Sequence, residues 1–208
     1  MPSSPAARRA LVLGGTGAIG GATAERLARD GWAVDVTGRD PRLMPAELVA
    51  LGVRFHAVDP ADVAGIERLA GDGVDLLVDL VAFTVGDVET LLPAMRASGS
   101  VVVASSRAVL VDAEGRHVNG DEPPRFPGPI PESNPTLAPA APGTAPFTRE
   151  GYAPSKAAVE RAASSSGCWR ARRRSSSPIA APPSTTSPRR PTRRRSSPGS
   201  PTCRERGS

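Results

Sequence analysis

The glycine run Gly14-Gly15-Thr16-Gly17-Ala18-Ile19-Gly20 constrains this chain more than any other feature, because of what flanks it. Before it, Ala10-Leu11-Val12-Leu13 is a short apolar run of the kind that forms a buried strand. After it, the stretch from Ala18 to Asp30 carries Ile19, Ala22, Ala24, Leu27 and Ala28 on the expected packing side of a helix. Strand, glycine turn and helix together open a βαβ unit. The glycines permit a tight turn, let backbone N–H groups come close to a pyrophosphate, and let the helix pack on the strand. The helix N-terminus adds a preference for negative charge. Gly14, Thr16, Gly17, Ala18, Ile19 and Gly20 are therefore candidate dinucleotide-binding residues. The plainer alternative is a glycine turn without a ligand.

The alternation then repeats. Gly31 ends the first helix; Ala33–Thr37, Val53–Val58, Leu76–Val81 and Ser100–Ala104 read as strands. Between them Ala46–Leu51, Val63–Ala70 and Val88–Ala97 read as helices. This order predicts an α/β fold, a Rossmann-type doubly wound parallel sheet. Aromatic residues are only 3% of the 208, so the core must be built from Ala, Val and Leu. No apolar run reaches membrane-spanning length, and Met1-Pro2-Ser3-Ser4-Pro5 lacks the apolar core of a secretory leader, so a cytoplasmic protein is expected. The two cysteines, Cys168 and Cys203, have no metal-ligand neighbours, which argues against a disulfide scaffold or a zinc module; no metal site is expected.

From Asp112 to Gly151 prolines recur at 123, 124, 127, 129, 131, 135, 139, 142 and 146, so a long ordered or semi-ordered loop is expected there. Helical character resumes over Tyr152–Ala163, with Pro154 expected in the first turn, where its missing N–H does no harm. The dinucleotide-binding domain is accordingly expected over 1–163. Residues 164–208 read as a disordered tail, since Arg, Ser, Pro and Thr dominate and Leu, Val, Met and Phe are absent. The tail holds 11 Arg against the single Glu205, whereas residues 1–162 carry net charge −5, so the overall +5 is an average of two unlike segments. From 163 on, only Ile179 and Glu205 have codons without G or C at the second position. A GC-rich gene read in a shifted frame gives this bias, and the tail is expected to be out-of-frame sequence.

Arg39 follows the second strand, where a nicotinamide dinucleotide-binding fold otherwise places an acid on the ribose hydroxyls. An arginine there suits a 2′-phosphate, which favours NADP with NAD as the alternative; a solvated loop arginine is the plainer reading. Asp59, after the third strand, suits the adenine amino group, while a helix N-cap role for Asp59 or Asp62 stands beside that reading. The chain has one tyrosine, Tyr152, and one lysine, Lys156, four residues apart on one helix face. In a chain that otherwise uses Arg for its cations, a single Lys suggests a site needing a compact ammonium. Such an ammonium beside a phenol stabilises phenolate and suits it to acid–base work. On spacing alone, a tyrosine anchoring a helix beside a surface lysine is the simpler account. Ser105 and Ser106 follow the fifth strand, at the sheet edge where open α/β folds bind ligands; a strand-end turn serine is the alternative.

Taken together, Gly14-Gly15-Thr16-Gly17-Ala18-Ile19-Gly20, Asp59, Ser105-Ser106-Arg107-Ala108-Val109 and Tyr152-Ala153-Pro154-Ser155-Lys156 resemble the short-chain dehydrogenase/reductase superfamily, in its extended, NAD-dependent epimerase/dehydratase branch. The resemblance covers about residues 9–163. It implies that Tyr152 transfers a proton to or from a substrate oxygen, that Lys156 holds the nicotinamide ribose and tunes the tyrosine, and that Ser106 orients the substrate oxygen. It implies an NAD(P)-dependent oxidoreductase, epimerase or dehydratase acting on a carbonyl or hydroxyl substrate, nucleotide sugars among them. Val109-Leu110 departs from the family's usual Val-Tyr, and the serine-to-tyrosine segment is longer and richer in proline than most. The family continues beyond the lysine helix with further strands and a substrate lobe, which the tail replaces, so a truncated and impaired enzyme is expected. Two other readings stand beside it: a non-catalytic dinucleotide-binding module, and a nucleic-acid binder using the basic tail. No nucleic-acid module accompanies that tail, so the expected partner is a small molecule and no specific nucleic acid or membrane, and a homo-oligomer is compatible with the sequence.

Overall fold

The apolar runs that become the central strands do so because both their faces are covered. The computed structural model describes residues 7–166. Strands β1 (Arg9–Leu13), β2 (Ala33–Gly38), β3 (Arg54–Ala57), β4 (Leu76–Asp79) and β5 (Val101–Val103) form one sheet in the order β3-β2-β1-β4-β5. All neighbouring pairs are parallel. Helices α1 (Ala18–Arg29), α2 (Ala46–Ala50), α3 (Val63–Ala70), α4 (Val85–Ala97) and α5 (Arg149–Ser165) make the outer layers. In β1, Ala10 and Val12 face a core with Val34, Val36 and Ala24, while Leu11 and Leu13 face one with Ile66, Leu77, Val88 and Val159. Continuous apolar strands are what a sheet buried on both sides requires. The chain winds from β1 outward to β3, then returns to β4 on the other side of β1. That reversal leaves a crevice beyond the carboxyl ends of β1 and β4.

Several boundaries differ from the sequence expectation for identifiable reasons. On α1 the buried residues are Gly20 and Ala24, whereas Ile19 is 71% exposed and Ala22 is exposed. The helix approaches the glycine loop so closely that the contact falls on Gly20, and the bulkier neighbours turn outward. Helix α4 begins at Val85, three residues before the expected start. There Thr84 accepts from the Asp87 N–H (3.2 Å) and the Asp87 carboxylate accepts from the Thr84 N–H (2.8 Å), a reciprocal cap. Helix α5 begins at Arg149, capped by Thr148, so Pro154 is its sixth residue and not part of its first turn. The Pro154 carbonyl accepts a hydrogen bond from the Ala140 N–H (2.9 Å), so the helix is tied to the preceding loop at this point. Helix α5 also runs past Ala163 to Ser165, and the tail from 167 on lies outside the described residues.

The proline-rich segment is ordered. The Leu137 N–H donates to Val109 O (2.7 Å) and the Val111 N–H to Pro135 O (3.1 Å), around an antiparallel bridge between Leu110 and Thr136. Its hub is Asp112, whose carboxylate accepts from the N–H groups of Glu114, Arg116 and Arg125 and from Arg116 Nε (2.7 Å). Burial alone would raise Asp112, but these donors and the Arg116 charge outweigh it and hold its carboxyl at about 2.

Candidate active site

The glycine loop closes the crevice from the β1 side. Gly14 has φ +82°, a conformation that favours glycine, and its N–H points at Thr37 Oγ1 (3.4 Å). The Gly15 N–H donates to Thr37 O (3.0 Å), and a Cβ on Gly15 would overlap Val36. A Cβ on Gly20 would overlap the Gly14 carbonyl oxygen. Three glycines are thus required by the protein's own packing. Gly17 is not: it is exposed, its φ is −78°, and an added Cβ would find only Gly14 O, at 3.5 Å. Gly17 is the N-cap of α1, no side chain caps that helix, and no acid lies in its first turn. The first-turn N–H groups, those of Ala18, Ile19 and Gly20, have no acceptor among the described residues. An uncapped helix start behind a bare glycine fits a pyrophosphate. Thr16 packs on the backbone of Gly38, joining the loop to the end of β2. Ile19 lies with Ala18, Ala22 and Leu27 along an open apolar groove on the outside of α1.

Arg39 stands directly after β2, exposed and without an ion pair among the described residues. The adjacent acid, Asp40, is already engaged by the Arg42 guanidinium (2.8 Å) and the Arg42 N–H (2.9 Å), and these bonds lower its carboxyl. Asp59 is exposed and accepts from the Ala61 N–H (2.8 Å); the α3 cap is Asp62, which accepts from the Gly65 N–H (2.9 Å).

On the β4–β5 side the centre is Lys156, only 3% exposed. Its Nζ donates to Ala82 O (2.8 Å) and Ala104 O (2.7 Å), the chain just beyond the ends of β4 and β5. Its ammonium also stands 4.9 Å from the centre of the Phe83 ring. Burial pushes Lys156 below its ordinary range, opposed by the negative charges of Asp79, Glu160 and Asp87. Tyr152, one helical turn earlier, is half-buried with its ring centre 6.3 Å from that of Phe83. Ser106 follows Ala104 by two residues. Its Oγ accepts from the Ala108 N–H (3.2 Å) at the start of a single 3-10 turn, Arg107–Val109, leaving its hydroxyl hydrogen free to donate. The structure thus brings Lys156, Tyr152 and the β5 end to one sheet edge, with Arg39 and Asp59 at the β2–β3 end of the same edge. Among the described residues no cluster of His, Cys, Asp or Glu could hold a metal ion, and no helix is long and apolar enough to cross a membrane.

The family model described as "NAD dependent epimerase/dehydratase family" matches residues 10–194. The chain belongs to that family. The match extends beyond α5 into the basic segment that composition sets apart. Among solved structures, a candidate epimerase from Burkholderia cenocepacia J2315 is 27% identical, with a TM-score of 0.56 over 76% of this chain and 50% of that one. UDP-glucose-4-epimerase from Stenotrophomonas maltophila, solved with bound NAD and formylated UDP-arabinopyranose, is 20% identical, with a TM-score of 0.55 over 76% of this chain and 48% of that one. UDP-glucose 4-epimerase from Thermus thermophilus, in complex with NAD, is 24% identical, with a TM-score of 0.53 over 76% of this chain and 50% of that one. The last two likenesses are of fold. The chain spans about half the length of these structures. No curated protein sequence matches it.

Two residues of this epimerase/dehydratase family chain sit in the site without having been expected there. Phe83 lies between the Lys156 ammonium, the Tyr152 ring and the exposed Phe147 ring, whose centre is 4.9 Å away. Asp79 ends β4 at 0% exposure. An acid inside the apolar run Leu76–Val81 was the available signal for Asp79, and it marks where β4 ends, two residues before the expected end. Phe83 gave none, since a lone aromatic after a strand reads as core.

Proposed function

We propose that this chain binds a nicotinamide dinucleotide, NADP(H) in preference to NAD(H), and uses Tyr152 as proton donor and acceptor toward a carbonyl or hydroxyl of a small-molecule substrate. The observation that carries the reading is Lys156: a buried ammonium fixed between the β4 and β5 ends, one turn from the only tyrosine, at the edge that the glycine loop also faces. Gly14, Thr16, Gly17, Ala18, Ile19 and Gly20 would hold the pyrophosphate side, Arg39 the 2′-phosphate and Asp59 the adenine. When bound, the dinucleotide supplies hydride exchange. Lys156 has a third N–H beyond its two carbonyl bonds, which suits it to a ribose hydroxyl. Ser106 donates its free hydroxyl hydrogen to the substrate oxygen, and Tyr152 moves the proton at that oxygen.

Titration of the full chain with NADPH and NADH, followed by fluorescence, tests the binding half. Saturable binding, tighter for NADPH, is expected; absence of binding overturns it. A panel of carbonyl substrates assayed with Tyr152→Phe tests the chemical half, with loss of at least about a hundredfold in kcat expected for the variant. A second reading is a dinucleotide-binding module without turnover, since the uncapped start of α1 behind Gly17 could hold a pyrophosphate without help from Tyr152 or Ser106. Binding without activity on any substrate would select it.

A further inference from the structure

The Asp79 carboxylate has a place in the site that hydrogen bonding alone does not explain. Its Oδ1 accepts from the N–H groups of Val81 (2.9 Å) and Ala82 (3.0 Å), and these bonds fold the chain back just after β4. That turn presents the Ala82 carbonyl to Lys156 Nζ. An asparagine oxygen would accept the same two bonds without a charge. The second carboxylate oxygen, Oδ2, is buried and has no hydrogen-bond partner among the described residues. An unpartnered oxygen in the interior is costly, and a neutral side chain would avoid the desolvation of a charge. What the carboxylate adds is a negative charge beside the one buried cation of the site. Lys156 gives two hydrogens to carbonyls, which orient it but leave its charge uncompensated. The acids that act on it are Asp79 on β4, Glu160 on α5 and Asp87 on α4, with Asp79 foremost.

We propose that Asp79 is the positioning residue of this site: it shapes the Val81–Ala82 turn against which Lys156 docks, and it is the buried counter-charge of the Lys156 ammonium. Burial drives the two groups toward neutrality from opposite sides, Asp79 upward and Lys156 downward, and each charge opposes the other's shift. Glu160 and Asp87 act on Lys156 in the same direction as Asp79 but less strongly, and Asp87 also raises Asp79. The functional consequence rests on the reading of Lys156 given above; the pairing itself does not.

Lys156 is the only lysine, so full-length protein labelled with ¹³C-lysine gives one side-chain Cε signal, and its pH titration reports this ammonium alone. In Asp79→Asn, which keeps the two Oδ1 bonds, the signal is expected to titrate at lower pH than in wild type, and NADPH binding to weaken severalfold. A merely structural Asp79 would not move that titration. Identical midpoints in a folded variant would overturn the pairing. As a second measurement that does not need the Asp79→Asn single variant to fold, thermal melts compare Lys156→Met with the double variant Asp79→Asn, Lys156→Met. Removing one member strands a buried charge, so the double variant is expected to melt higher than Lys156→Met. A double variant that melts lower overturns the proposal. Shifted midpoints and rescue in a protein that binds no NADPH would keep the pairing and discard the nicotinamide reading.

Discussion

Substituting two glycines of the same loop by alanine separates packing from ligand binding. At Gly20 the new methyl would overlap the Gly14 carbonyl and stand 2.8 Å from Gly15 Cα, backbone on both sides, so neither neighbour can yield by a rotamer change. Overpacking of this kind costs about 1–3 kcal/mol. A better helix propensity returns about 1 kcal/mol, and contacts this short point to a net loss of about 2. For a domain of this size that is roughly 4–8 °C in Tm. At Gly17 the methyl meets only Gly14 O at 3.5 Å, and φ −78° with ψ 168° suits any residue. The poorer N-cap preference of Ala and the lower entropy of its unfolded chain nearly cancel, leaving a change within about 0.5 kcal/mol. The same methyl, however, stands at the uncapped start of α1, where the proposed pyrophosphate would meet backbone N–H groups. NADPH binding is expected to weaken by at least about tenfold, roughly 1.4 kcal/mol. Thermal unfolding by circular dichroism and NADPH titration on both variants decide the matter. Should Gly17→Ala melt as low as Gly20→Ala, or bind NADPH like wild type, the assignment of Gly17 to the ligand is refuted.

Arg39→Ala is expected to weaken NADPH about fivefold, the scale of one exposed ion pair, and to leave NADH unchanged; calorimetry with both dinucleotides checks it. Asp112 has a carboxyl depressed from 3.8 to about 2, so its contribution to stability is complete above the unfolded value and is lost as pH falls from about 4 toward 2. Urea midpoints between pH 2 and 6 should therefore show a weaker acid dependence in Asp112→Asn than in wild type, whereas equal slopes would count against the hub. Thr84→Ala removes one half of the α4 cap and is expected to cost about 1 kcal/mol by denaturant titration, with a loss below about 0.3 counting against the cap's importance.

What the sequence disclosed, and what it withheld, divides along one line. The glycine loop was legible because its flanking runs read as strand and helix, but which glycine meets which neighbour, Gly15 against Val36 and Gly20 against Gly14, emerges only from the fold. The parallel α/β sheet follows from the same alternation, whereas its order, β3-β2-β1-β4-β5, is seen only in the structure. Ile19 was misjudged because helical spacing identifies an apolar stripe, but the close backbone approach at Gly20 decides which way the first turn of α1 faces. Pro154 was placed in the first turn because the start of α5 is set by Thr148, a cap whose role emerges only with its bond to the Gly151 N–H. Asp35 illustrates the remainder. It lies in an apolar strand at 4% exposure, and only the register of β2 on β3 reveals its partners Arg54 (2.6 Å) and His56 (2.7 Å). Asp79 and Phe83 belong to the same class, since their meaning depends on a lysine more than seventy residues away.

The position of Tyr152 follows from how α5 is held, and that depends on the proline-rich loop. Beyond Lys156, whose two bonds pin the helix to the β4 and β5 ends, the start of α5 is tied to the loop on two sides. Asn119 donates to Arg149 O (3.2 Å) and the Arg149 guanidinium to Gly120 O, while the Ala140 N–H donates to Pro154 O. These ties lie within three residues of Tyr152. A long connection is entropically expensive to order, and proline lowers that expense by restricting the unfolded chain. Asp112 then gathers the loop's N–H groups at one buried carboxylate, and the Leu110–Thr136 bridge fixes the returning strand beside the 3-10 turn that carries Ser106. The loop that separates Ser106 from Tyr152 in sequence thus adds its ties to the Lys156 bonds and the Val159 and Ala163 packing that already seat α5 on the sheet. Disturbing Asp112 should move the tyrosine as well as loosen the loop.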